Sequence, residues 1–72
     1  MVMEPISIEQ AKRIAAQKRL MPGKVRGTNG IQFTRGNNSR IQPISWDEFE
    51  RLLRQRGLQI YESSGWMEIM KR

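Results

Sequence analysis

The sequence predicts a small single α+β domain with the element order α-β-β-β-α-β-β, an antiparallel sheet with helices packed on one face. Three observations carry that prediction. Two segments repeat apolar residues at helical spacing behind a Ser-x-x-Gln/Glu capping box, Ser7 with Gln10 and Ser45 with Glu48. The stretches between and after them alternate apolar and polar residues in short runs separated by Gly-, Asn- and Ser-rich turns. With 72 residues the chain is long enough for one core only, and a domain of that size buries roughly 60% of its unfolded surface.

In chain order, residues 1 to 6 read as a flexible tail. Ile8, Ala11, Ile14 and Ala15 recur at helical spacing, which predicts a helix over 8–20, stopped by Pro22 and Gly23. Its apolar stripe is mostly alanine and permits close approach to a sheet. From Lys24 to Ile44 the pattern predicts a three-stranded meander with turns at Gly27-Thr28-Asn29-Gly30 and Gly36-Asn37-Asn38-Ser39.

The first hairpin is expected to have a three-residue loop with Gly30 left-handed, pairing Gly27 with Ile31 and Val25 with Phe33. That register turns Val25, Ile31, Phe33 and Ile41 to the core. It leaves Lys24, Arg26, Gln32, Thr34, Arg40 and Gln42 on a basic outer face, with Arg35, Asn37 and Asn38 at its margin.

The second helix is expected over 46–56. Ser45 and Glu48 cap its start, Ile44 staples onto Phe49, and Gly57 is the left-handed residue that ends it. Asp47, Glu48 and Glu50 suit the N-terminal end of the helix dipole, and Arg51, Arg54 and Arg56 the C-terminal end. Leu58–Glu62 and Trp66–Lys71 then read as a hairpin around Ser63-Ser64-Gly65. A four-residue connection puts Leu58, Ile60, Met67 and Ile69 on one face and Tyr61, Trp66 and Met70 on the other. A short helix after Gly65 is the competing reading of the C-terminus.

Composition excludes much chemistry. There is no Cys and no His, which removes the thiol nucleophile, the imidazole base, the disulfide framework and the usual nitrogen and sulfur ligands of zinc. The clustered carboxylates Asp47, Glu48 and Glu50 already serve a helix start, and a two-metal nuclease needs several acids converging in space. No phosphate-loop motif occurs, so the glycines read as turn residues. The expectation is a non-enzyme with no catalytic residues, no metal and no cofactor. No run approaches the roughly 18 apolar residues of a membrane span, and no leader is visible at Met1–Pro5, so no membrane partner and a cytoplasmic location are expected.

The charge is unevenly placed. Of 13 Lys+Arg and 7 Asp+Glu, the first 40 residues hold eight of the cations and only Glu4 and Glu9, so the whole net +6 lies there. A field of one sign attracts polyanions. Arg and Lys on a small sheet can reach guanine in a major groove, and Gln can reach adenine. The expected function is a non-catalytic nucleic-acid-binding module, for DNA or RNA, using Lys24, Arg26, Gln32, Arg35 and Arg40, with Lys12, Arg13, Lys18 and Arg19 as supporting phosphate contacts. The face lacks the aromatics on which single-stranded RNA stacks in RRM-type sheets. In element order alone, helix, three strands and helix is similar to double-stranded-RNA-binding domains. The alternative is a small protein-interaction module or subunit, antitoxin-like or a homodimer, that works through Tyr61, Trp66 and Met70 on the terminal hairpin, because aromatics and Met are enriched at interfaces.

Overall fold

The computed structural model describes residues 2–72, and Met1 of the expected tail lies outside them. The elements are β1 (Glu4–Pro5), α1 (Ile8–Lys18), β2 (Met21–Val25), β3 (Ile31–Thr34), β4 (Ile41–Pro43), α2 (Trp46–Arg56), β5 (Leu58–Ser63) and β6 (Trp66–Lys71). The α+β class and the order from α1 to β6 are as expected. The strands divide into two antiparallel three-stranded sheets, β1-β5-β6 and β3-β2-β4, in place of one. The additional strand β1 falls in the segment assigned to the tail. Glu4 pairs with Glu62 and Pro5 with Tyr61, the Ile6 N–H donates to the Ile60 carbonyl, and Gln59 Nε2 donates to the Ile6 carbonyl at 2.9 Å.

Both halves of the Ser7 capping box form: Ser7 Oγ accepts from the Gln10 N–H, and Gln10 Oε1 accepts from the Ser7 N–H. The helix ends at Lys18, two residues earlier than expected. Arg19 takes the left-handed conformation (φ 58°), its N–H donates to the Ala16 carbonyl, and the Leu20 N–H donates to the Ala15 carbonyl. That closure satisfies the last carbonyls without help from Pro22 or Gly23, and both of those residues belong to β2.

A proline in the central strand of a sheet needs a position where no donor is required. Across β2 and β3 the pair Val25/Gly30 is hydrogen-bonded, and the antiparallel alternation makes Pro22/Phe33 a pair without hydrogen bonds. Toward β4, Pro22 contributes only its carbonyl, which accepts from the Ile44 N–H at 3.0 Å. Pro43 sits opposite Gly23, at a pair whose backbone groups point away from β2, so its missing N–H falls on the open edge.

The first hairpin corrects the expected register. Lys24 pairs with Ile31 and Pro22 with Phe33, not Val25 with Phe33, and Gly27 rather than Gly30 has positive φ (78°). Thr28 explains the longer loop: its Oγ1 donates to the Val25 carbonyl and accepts from the Gly30 N–H, each at 3.0 Å. The meander is also corrected, because β4 pairs with β2 and not with β3, leaving β2 in the middle. Paired residues share a face, so Pro22, Lys24, Ile31, Phe33 and Gln42 lie on one side of this sheet. Gly23, Val25, Gln32, Thr34 and Ile41 lie on the other. Val25 and Ile41 therefore do not join Ile31 and Phe33, and Thr34, expected on the outer face, is buried at 6% exposure with its methyl, like that of Ile41, over Gly23.

Helix α2 has the expected bounds. Ser45 Oγ accepts from the Glu48 N–H, and Gly57 (φ 63°) ends the helix with its N–H on the Arg54 carbonyl. Its buried face supplies Phe49 and Leu53, which form the core with Ala11, Ile31, Leu58 and Ile60. Phe49 is fully buried and packs against Phe33 (ring centroids 5.3 Å) and edge-on against Trp46 (5.5 Å). Fully buried Ala11 lets α1 join that core at close range, as its small side chain predicts.

The C-terminal hairpin forms in the expected register, with Glu62 opposite Met67 and Ile60 opposite Ile69. Ser63 also pairs with Trp66. The turn shrinks to Ser64 (φ 51°) and Gly65 (φ 85°), the double left-handed conformation whose twist matches that of the strands. Glu62 Oε2 accepts from the Gly65 N–H at 2.7 Å.

Candidate nucleic-acid interface

Lys24 stands on the same face as Gln42, its partner in β4. The ladder continues one step further, with the Arg26 N–H donating to the Arg40 carbonyl at 2.9 Å. Alternation therefore puts Lys24, Arg26, Arg40 and Gln42 along one side of the β2/β4 pair, at the end that carries the β2–β3 turn. The Arg26 guanidinium is held there, since its Nε donates to the Ser39 carbonyl at 2.8 Å. Asn38 Oδ1 accepts from the Arg40 N–H and shapes the loop that delivers Arg40.

Arg56 joins this group from α2. Its Nη1 donates to the Asn29 carbonyl at 2.8 Å, which draws the C-terminal end of α2 to the β2–β3 turn. Arg26, Arg40 and Arg56 are exposed and Lys24 is half-buried. Each guanidinium has five N–H donors in a fork suited to phosphate, so one bond to a carbonyl orients it and leaves donors facing outward. Arg56 was expected only to complement the helix dipole. Its place at the helix end was legible, but the contact with a residue 27 positions earlier has no sequence signal.

Ion pairing leaves this cluster untouched. Among the described residues the pairs are Lys12 with Glu9 (3.9 Å) and Arg54 with Glu50 (2.7 Å). Neither involves Lys24, Arg26, Arg40 or Arg56.

The remaining expected cations do not join the cluster. Arg35 follows the far end of β3 and lines a groove with Lys18, Gln32 and Trp66, so it is not the margin of the β2/β4 face. Gln32 lies opposite Gly23 and faces away from Lys24. Lys12 is engaged by Glu9, and Arg13 and Arg19 are exposed on α1 and at its C-terminal cap. The sequence-derived set thus separates into a group at the β2–β3 turn, a pair at the β3–β6 groove, and solvated helix positions.

The other candidate surface is the outer side of β5 and β6. Tyr61, Trp66 and Met70 share it by the register of the hairpin, and Trp66 is 65% exposed and Met70 38%. Trp66 Nε1 donates to Glu68 Oε1 at 3.1 Å on the same face. No helix among the described residues is long and apolar enough to cross a membrane. Comparison with protein-family models, with curated proteins and with solved structures gave no match.

Proposed function

We propose that the chain is a non-catalytic, cytoplasmic nucleic-acid-binding module that grips the phosphate backbone with Lys24, Arg26, Arg40 and Arg56, with Gln42 beside them. The observation that carries this reading is the gathering of four cations from β2 and the residue after it, the residue before β4, and α2 at one end of a sheet, with no acid paired to any of them among the described residues. Unpaired cations grouped on one surface attract a polyanion, while the same charges scattered among acids would not. Fluorescence anisotropy against duplex DNA, duplex RNA and a single strand tests it. Four phosphate contacts give a slope of log K against log salt of about −3.6, at roughly −0.9 per contact on B-form DNA. No binding to any of the three at tens of micromolar protein removes the reading.

A second reading rests on Trp66. An indole 65% exposed on the outer side of an antiparallel hairpin suits a contact with a second copy or another protein. Under that reading Tyr61 and Met70 complete the patch.

A further inference from the structure

Trp66 follows the turn of the C-terminal hairpin with its side chain 65% exposed, so at least one face of the indole is open to solvent. The ring is nevertheless held. Its Nε1 donates to Glu68 Oε1 at 3.1 Å, two residues along on the same side of β6, and the strand beneath it is paired with β5 from Trp66 to Lys71. That bond satisfies the indole N–H, and the open face offers a contact that needs no directional hydrogen bond.

Two cations stand at the same end of the fold. Lys18, in the last turn of α1, brings its Cε to 3.2 Å and its Nζ to 3.4 Å from where a Cβ on Gly65 would stand, beside Trp66 in the chain. Two residues later comes Leu20, and Met21 then pairs with Thr34, which sets Arg35 at this end as well. Lys18, Leu20, Arg35, Gly65 and Trp66 line one open cavity of about 610 Å³. Neither cation is paired with an acid among the described residues. The two carboxylates closest along the hairpin are engaged within it: Glu68 accepts from the indole, and Glu62 accepts from the Gly65 N–H at 2.7 Å.

These surroundings select the occupant. The core of a protein–protein contact is depleted of charge, yet Glu68 lies between Trp66 and Met70 on the outer side of β6, and Lys18 and Arg35 share the cavity that the ring borders. An open aromatic face beside unpaired cations matches the two parts of an unpaired nucleotide, a base that stacks and phosphates that carry charge. We propose that Trp66 is a stacking platform for an unpaired base of a single-stranded nucleic acid, with Lys18 and Arg35 holding adjacent phosphates. The base rests on the open face of the indole, outside the gap between β3 and β6, whose Cα atoms approach within 8 Å. This contact is separate from the cation group at the β2–β3 turn, because β3 runs from that turn to Arg35.

The test uses the full chain labelled with nitrogen-15 and an oligo(dA) hexamer, with an abasic hexamer of the same phosphate count alongside. The oligo(dA) is expected to shift the Trp66 indole N–H, identified by its loss in Trp66→Phe, together with the amides of Gly65 and Arg35. In anisotropy, Trp66→Ala is expected to weaken oligo(dA) by about tenfold, the size of one base–aromatic stack, Trp66→Phe to restore most of that loss, and neither to change binding of the abasic hexamer. Lys18→Gln and Arg35→Gln are each expected to weaken both hexamers and to flatten the salt slope by about 0.7, one phosphate contact on a single strand. Equal affinity for the two hexamers, shifts confined to the Lys24–Arg26 turn, or no shift at millimolar oligonucleotide would overturn the proposal. So would AMP that binds as tightly as the hexamer, or a parent chain that sediments as a dimer and whose Trp66 indole oligo(dA) leaves unmoved. The readout is local to Trp66, so loss of duplex binding at the β2–β3 turn leaves this contact standing, and failure here leaves the cation cluster standing.

Discussion

Substituting Gly23 tests the sheet on which the cation cluster is built. Gly23 is in the middle of β2, with φ outside the left-handed region, so its backbone would accept alanine. Its neighbours would not. A Cβ there would collide with Ile41 Cγ2 and stand 3.1 Å from Thr34 Cγ2 and 3.3 Å from the Gln32 carbonyl oxygen. Ile41 is 5% exposed and Thr34 6%, and the Ile41 methyl is attached at a branched Cβ, so relief requires a rotamer change or a shift of β4. Overpacking of this kind costs about 1–3 kcal/mol. The smaller unfolded-state entropy of alanine returns about 0.4–1 kcal/mol, and the mid-range values leave Gly23→Ala destabilised by about 1.3 kcal/mol. For a domain of this length each kcal/mol lowers Tm by about 4–8 °C, so a fall of roughly 5–10 °C by circular dichroism is expected. Ile41→Leu moves the branch away from Cβ at nearly constant volume, and in that background Gly23→Ala is expected to lose most of its penalty. A Gly23→Ala protein at least as stable as the parent would refute the pairing of β4 with the face of β2 that carries Gly23, and with it the arrangement that lines up Lys24, Arg26 and Arg40.

Further outcomes follow from the caps and the surfaces. Ser45→Ala removes the hydroxyl that accepts from the Glu48 N–H and is expected to cost about 1 kcal/mol in urea unfolding. Gly57→Ala meets no neighbouring atom within 4 Å, so its expected loss of about 1–2 kcal/mol is backbone strain at φ 63° alone. Arg26→Ala, Arg40→Ala and Arg56→Ala should each weaken duplex binding and flatten the salt slope by about 0.9, while Arg54→Ala, whose charge is engaged by Glu50, should leave the slope unchanged. If Arg56→Ala behaves like Arg54→Ala in anisotropy, the cluster is smaller than proposed. Trp66→Ser should convert a dimer to a monomer in sedimentation without altering the melting curve by more than about 0.5 kcal/mol, the range of exposed substitutions. A parent chain that is already monomeric at every accessible concentration removes the dimer reading of that face.

The chain's own local pattern determined several features whose partners lie within a few residues, though not the α1 terminus at Arg19 or the Thr28 turn. The Ser7 and Ser45 caps, the Gly57 terminus and the whole of α2 follow from contacts three to five positions apart. The β5/β6 register follows from a turn of two residues, which pins Met67 and Ile69 to the face of Leu58 and Ile60. Alternation within each segment makes it legible that Lys24 shares a face with Arg26 and Arg40 with Gln42, while the register Lys24 opposite Gln42 joins the two pairs.

Only the tertiary structure decided what faces what at longer range. The α1 terminus at Arg19 released Met21, Pro22 and Gly23 into β2, and the Thr28 loop set Lys24, not Val25, beside Ile31. A one-residue change of register exchanges the faces of a strand, which is why Val25 and Ile41 part from Ile31 and Phe33, and Gln32 and Thr34 part from Lys24 and Arg26. Strand β4 could extend the sheet beside β3 or beside β2 with the same alternating sequence. The observed choice puts the Ile41 methyl over the bare Cα of Gly23 and gives the Pro22 carbonyl the Ile44 N–H. That choice also sets Arg40 beside Arg26, and the packing of α2 on Phe33 brings Arg56 to Asn29. These are contacts between segments distant in sequence, selected by the burial and hydrogen bonding of the whole domain, so no local pattern encodes them.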